Sequence, residues 1–421
     1  MTQAIPEGYF ARNLEPVGYH ELNGRPAFKL AMQEVNRRWY LYGAHLWHRG
    51  WSILDVTDPA APQFLNYVAG PENTWTIQIQ VADGKMITGL ERIAPGWGGT
   101  EGPYTEGFFI FDVSDPAKPR RLGHFQTGST GSHRNFYDGG KIVHAAAGAP
   151  GLVGKIYRAV DISDPANPHE VGRFSLPEQT RETPGFKFSL HGPAHIEGSR
   201  AFLSYGDGGG IIIDVSELSQ PQMVSQLLFR GITATQGIHT FLPLPRRKIA
   251  LINDEAIRED GDENLNMAGI VDYRDEHQLR LISLLPLPEP PPESGLKNFY
   301  QKGGRFGPHN HHHSNHQPCL EDRDDIAYLT YFNAGLRVYD IRDARAPKEF
   351  GYFLPSDPPL RTGIKPSKLV AQTEDVLVDR RGFIYISDKN HGIFILRLKG
   401  IWPYRSVSRD LVGGNLSVKR D

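Results

Sequence analysis

The 421-residue sequence holds a single cysteine, Cys319, which excludes an internal disulfide framework. No stretch of about 18 residues is continuously apolar, which excludes a helix spanning a bilayer. An excess of one charge is also missing, since 46 Lys and Arg stand against 48 Asp and Glu, a formal net charge of -2. A chain so balanced has no overall field to recruit nucleic acid or an acidic membrane surface, and neither is expected as a partner. Residues 1–13 lack a basic region running into an apolar one, so the expected location is the cytoplasm. Helical periodicity is scarce. What is abundant is glycine (45) and proline (32), the composition of many short strands joined by turns.

The turns belong to a repeat. An apolar strand ending in Asp and followed by an Asp-Pro pair occurs from Trp51 to Pro59, from Phe108 to Pro116 and from Arg158 to Pro165. Looser copies end their strands at Asp214, Asp272 and Asp340, and a seventh, Gly392 to Leu396, keeps the strand and loses the Asp. Successive signature Asp residues (Asp55, Asp112, Asp161, Asp214, Asp272, Asp340) are 57, 49, 53, 58 and 68 residues apart, the length of one four-stranded propeller blade with loop insertions. The Asp can bond its own backbone two residues on, and Pro presets φ for the turn. The N-terminal segment from Glu15 to His20 reads as a strand that follows such a turn, while the seventh unit stops before making one. We therefore expect an all-β chain, a single seven-bladed β-propeller domain over residues 1–421, closed by an N-terminal strand that completes the last blade, with 403–421 as a tail or strap. These strings resemble the LVIVD-repeat family of β-propeller proteins over nearly the whole chain; the resemblance implies the propeller and says little about chemistry.

Counting about ten residues back from the second strand of each unit, to where the innermost strand begins and side chains face the axis, reaches histidine repeatedly. His133 lies 9 residues before Ile142, His191 lies 10 before Ala201, and His239 lies 10 before Ile249. In the sixth unit the run from Pro308 to His316 precedes Ala327, and counting leaves its ligand open, His316 being nearest the register and His309 requiring an insertion. Glu374 holds the place in the seventh unit, and the first offers only Lys29. Neutral imidazoles converging from rigid strands are what a divalent transition metal such as Fe(II), Cu or Zn needs. The competing reading is a polar core whose histidines satisfy one another. Segments similar to Ser132–Asn135, His191–Pro193, His239–Pro245, Phe306–Asn310 and Asp254–Ala256 recur in the family, and the resemblance ranks His309 ahead of His312 as the sixth-blade ligand.

Glu374 is expected to orient a ligand imidazole or to act as a base on metal-bound water, and Arg134 to hold a carboxylate or phenolate substrate. Three insertions, residues 92–106, 256–268 and 286–307, read as loops bounding a pocket, the first carrying Trp97 and the last Arg305. His45, His48 and His144 read as packing or edge residues, and His195 only weakly as a ligand. The expected function is that of a metal-dependent oxidoreductase or oxygenase acting on a small organic molecule. The alternatives are a metal-dependent lyase or hydrolase with Glu374 as base, and a non-catalytic scaffold. Metal content separates the last from the others.

Overall fold

In a computed structural model, which describes residues 3–229, 235–264 and 266–400, seven four-stranded antiparallel sheets stand around an axis as the blades of a β-propeller. The expected tail or strap at 403–421 lies outside the described residues. Blade one runs Ala27–Val35, Arg38–His45, Gly50–Asp55 and Gln63–Ala69 from inside to outside. Blades two to five repeat the pattern. Blade seven takes its three inner strands from the end of the chain (Thr373–Val378, Phe383–Asp388, Ile393–Leu398) and its outer strand, Leu14–His20, from the beginning. Leu14 and Tyr19 on that closing strand are buried among Phe394 and Leu396.

Blade six departs from the pattern in a way the repeat does not announce. Its sheet is formed by Ile326–Thr330, Leu336–Asp340 and Lys348–Leu354, with Phe10–Arg12 added at the outer edge. Its inner edge is an irregular segment: the His309 and His312 N–H groups donate to the carbonyls of Thr330 and Tyr328 at 2.9 and 3.1 Å. The ring is thus tied by two consecutive pieces of the N-terminus, one per blade.

The signature Asp does what its chemistry allows. Its carboxylate accepts the N–H two residues on in six blades, from Asp55 to Thr57 (2.9 Å) through Asp340 to Arg342 (3.0 Å). The turn so fixed docks on the outer strand of the preceding blade. A Cβ on Gly123 would stand 1.6 Å from the Pro165 carbonyl oxygen, and one on Gly18 would stand 2.1 Å from that of Pro59. Only glycine admits this approach, and the Gly18 contact repeats it across the closure of the ring. Among the described residues no helix is long and apolar enough to cross a membrane.

Candidate metal centre

The inner edges of blades three to six bring His133, His191, His239 and His309 into one arc. Ring centroids of successive members are 4.5, 5.0 and 4.8 Å apart. Backbone geometry explains the convergence. The pairing register slips between Ser132 and Arg134, between Ile238 and Thr240, and between Thr373 and Asp375, leaving His133, His239 and Glu374 as the extra residues of three bulges. An extra residue leaves the ladder and its side chain is re-aimed, here toward the axis. His191 arrives by another route, ahead of the strand His195–Glu197, where a Cβ on Gly192 would stand 2.0 Å from the His239 carbonyl oxygen.

Each ring is anchored through Nδ1. That of His133 donates to the Glu91 carboxylate (2.5 Å), that of His239 to the Thr240 hydroxyl (2.8 Å) and that of His309 to the Glu374 main-chain carbonyl (2.7 Å). Nδ1 of His191 faces the Gln236 amide at 2.6 Å. With the proton on Nδ1, the Nε2 lone pairs of His133, His239 and His309 point at the centre of the arc. There they meet Glu255, whose Oε2 is 3.0 Å from Nε2 of His191 and 3.8 Å from that of His239, and whose Oε1 is 3.6 Å from that of His309. Nε2 of His133 lies 3.2 Å from Nε2 of His191.

Two donors that share one ion at about 2.1 Å are themselves about 3.0–3.4 Å apart at octahedral or tetrahedral angles. Of the spacings around Glu255 that to His191, 3.0 Å, falls in this range and those to His309 and His239, 3.6 and 3.8 Å, lie above it; His191, His239 and Glu255 present ligand atoms all within 4.8 Å of one another. Nε2 of His239 and Nε2 of His309 are buried without a hydrogen-bond partner among the described residues. Buried polar atoms are seldom left so. A group that could hold a metal ion therefore sits on the propeller axis. Burial lowers the imidazole pKa values, His133 to about 3 and His239 and His309 well below the usual range, so the rings are neutral as ligation requires.

The surroundings are ordered by charge. Lys155 pairs with Glu91 at 2.8 Å, Arg305 with Glu255 at 3.0 Å, and Lys389 with Glu374 at 2.6 Å. Glu374 lies on the Nδ1 side of His309, its Oε2 3.4 Å from that nitrogen, whereas Glu255 lies on the Nε2 side. Glu255 is the residue the register count missed. It follows the second strand of blade five, Ile249–Asp254, and enters from the strand end; its one sequence signal was the Asp254–Ala256 segment.

His312 is a correction. Its Nε2 donates to the Glu321 carbonyl (2.8 Å) and its Nδ1 accepts from the Val378 N–H (3.1 Å), so main chain engages both nitrogens and leaves none for an ion. His45 is bonded through both nitrogens to Pro26 and Ser52, and His144 to Tyr157, as packing residues would be.

Beside the centre opens a cavity of about 310 Å³ lined by His133, His191, Glu255 and Arg134 together with Phe28, Trp75 and Trp97. Trp97 and Arg305 bring the first and third insertions to it, and Ile257 the second. Phe299 and Tyr300 of the third instead pack on Phe306.

Comparison with known proteins bears on the fold. No curated protein matches the sequence. An X-ray structure of a hypothetical selenium-binding protein from Sulfolobus tokodaii is 12% identical and superposes over 87% of this chain and 83% of that one, with a TM-score of 0.53. The computationally designed Ika8 protein is 10% identical, over 90% of this chain and 98% of that one, with a TM-score of 0.47. The LVIVD repeat model matches residues 158–175 and 195–228, in blades three and four. The chain thus carries a match to the LVIVD repeat in two of its blades and folds as a seven-bladed β-propeller.

Proposed function

We propose that this protein is a metal-dependent enzyme, an oxidoreductase or oxygenase, whose ion is held on the axis by His133, His191, His239, His309 and Glu255. The observation that carries this reading is that Nδ1 of each ring is tied to the protein, while ligand atoms of His191, His239 and Glu255 lie within 4.8 Å of one another, with His133 and His309 beside them. His191, His239 and Glu255 form the core of the set, and with His133 and His309 drawn in it would reach five donors, more than tetrahedral zinc takes and suited to six-coordinate Fe(II) or a tetragonal copper site with a place left for a small molecule. Such an ion, when bound, supplies a redox-active Lewis acid. The chain's own residues do the rest. Glu91 and Glu374 orient His133 and His309, Arg305 holds Glu255 in place, and the cavity beside them admits the organic substrate while its aromatic wall limits water.

Elemental analysis of protein purified without chelator tests the reading. About one equivalent of iron or copper is expected, reduced in the single variants His191→Ala, His239→Ala, His309→Ala and Glu255→Gln. Metal at full occupancy in all four, or none in the unaltered protein, would overturn it.

A further inference from the structure

The wall of the axial cavity contains a buried cation that makes no ion pair and leaves two of its nitrogens unbonded among the described residues. Arg134 is 1% exposed, and its Nε and Nη1 have no hydrogen-bond partner among the described residues. The other cations of that wall are engaged: Lys155 with Glu91 at 2.8 Å, Lys187 with the Gln236 amide at 3.3 Å, and Arg305 with Glu255 at 3.0 Å and the Ala256 carbonyl at 3.1 Å. A guanidinium withdrawn from water demands an acceptor, and planar carboxylates are its best geometric match.

Aromatic rings line the same cavity. Trp75 and Trp97 pack edge to face at 5.9 Å, Trp47 stacks on Trp97 at 6.0 Å, and Phe28 sits beneath Arg134, whose guanidinium carbon is 5.3 Å from the ring centre. The two Trp residues are fixed by local structure: Thr74–Trp75 pairs with Glu91–Arg92, and the first insertion carries Trp97 from the end of that short sheet. Phe28, Trp75, Trp97 and Arg134 all line the same cavity, whose roughly 310 Å³ is at the lower end of the range for small-molecule sites. The cavity therefore offers a cation to a charged group and aromatic surface to a ring.

We propose that this cavity takes a small aromatic carboxylate, its carboxylate on Arg134 and its ring between Phe28 and the Trp75–Trp97 pair. Calling that molecule the substrate rests on the metal reading above; binding it does not, because neither the cation nor the aromatic wall needs the ion. Arg134 follows His133 directly in the chain, so the bound acid lies beside the imidazole arc.

Calorimetric titration of the full chain, both chelator-treated and metal-loaded, with benzoate, benzamide and acetate tests this. Benzamide keeps the ring and removes the charge; acetate does the reverse. Benzoate is expected to bind about tenfold or more tighter than either, the usual scale for a charge-assisted hydrogen bond or the burial of a ring. Arg134→Met should reduce benzoate to the level of benzamide, and Trp97→Ala should weaken benzoate and benzamide together. Should Arg134→Met fail to fold, the comparison of benzoate with benzamide on the unaltered protein decides alone. Equal binding of the two, or no benzoate binding to either form, overturns the inference. Stoichiometric metal without benzoate binding removes this inference and leaves the metal reading; benzoate binding to a protein that takes up no metal does the opposite.

Discussion

Glu91 touches neither the proposed ion nor the ring nitrogen that would bind it, yet it fixes which nitrogen of His133 carries the proton. Replacing it with Gln exchanges an obligate acceptor for an amide that presents either oxygen or nitrogen, and Lys155 loses its partner at the same time. Glu91→Gln should therefore lower metal affinity by about 10–100-fold, the usual cost of losing a group that orients a ligand. Competition with a chelator of known affinity measures it, and an unchanged affinity would remove His133 from the ligand set. The same residue-by-residue view shows what the sequence disclosed. His133 and His239 met the count because each is the second residue of an innermost strand, and His191 met it although it stands four residues ahead of its strand. His309 could not be counted, because blade six replaces that strand with an irregular segment, and the family resemblance was needed to place it. Glu255 stands outside the count altogether, since it reaches the axis from the end of a second strand. Hydrogen bonding then decides between His309 and His312, and which backbone groups lie opposite a side chain is not written in spacing.

At the scale of elements, the bulges at His133, His239 and Glu374 recur at one place in three blades, and a repeat read as letters hides them because a bulge adds no characteristic residue. Where the end of the histidine run packs was also illegible. Its His316 lies between the carboxylates of Asp138 and Glu197, at 2.8 and 3.1 Å, so a loop of blade six reaches blades three and four. Hydrogen bonds to these two carboxylates raise the His316 pKa to about 9, against an ordinary value of 6.5. A pKa raised on folding stabilises the fold fully below the ordinary value, and that contribution disappears as pH climbs through the raised one. The stability difference between the unaltered protein and His316→Gln should accordingly be greatest near pH 6 and shrink between about pH 6.5 and 9. Denaturant unfolding across that range checks it; a difference constant with pH would mean the ring is not held as an imidazolium.

For the molecule as a whole, closure of the ring carries the argument. The seven-unit count and the complementary ends were legible in the sequence because each end lacks what the other supplies. The added pairing of Phe10–Arg12 with blade six was not, three residues being too few to carry a pattern. Deleting residues 1–20 removes the outer strand of blade seven and exposes two sheet edges. Loss of Leu14 and Tyr19 burial alone should cost about 3–6 kcal/mol, seen as a lowered unfolding midpoint accompanied by aggregation. An unchanged midpoint would show that the ring does not depend on this closure. Closure matters for function because the proposed ligands come from blades three, four, five and six and from the end of a strand in blade five, so their spacing is only as fixed as the ring. The most direct test is an anomalous-difference map from crystals of the metal-loaded protein. The account predicts one peak on the axis, about 2.1 Å from Nε2 of both His191 and His239 and in reach of Glu255. No peak there, with the imidazoles bonded only to Glu255 and to one another, would contradict it.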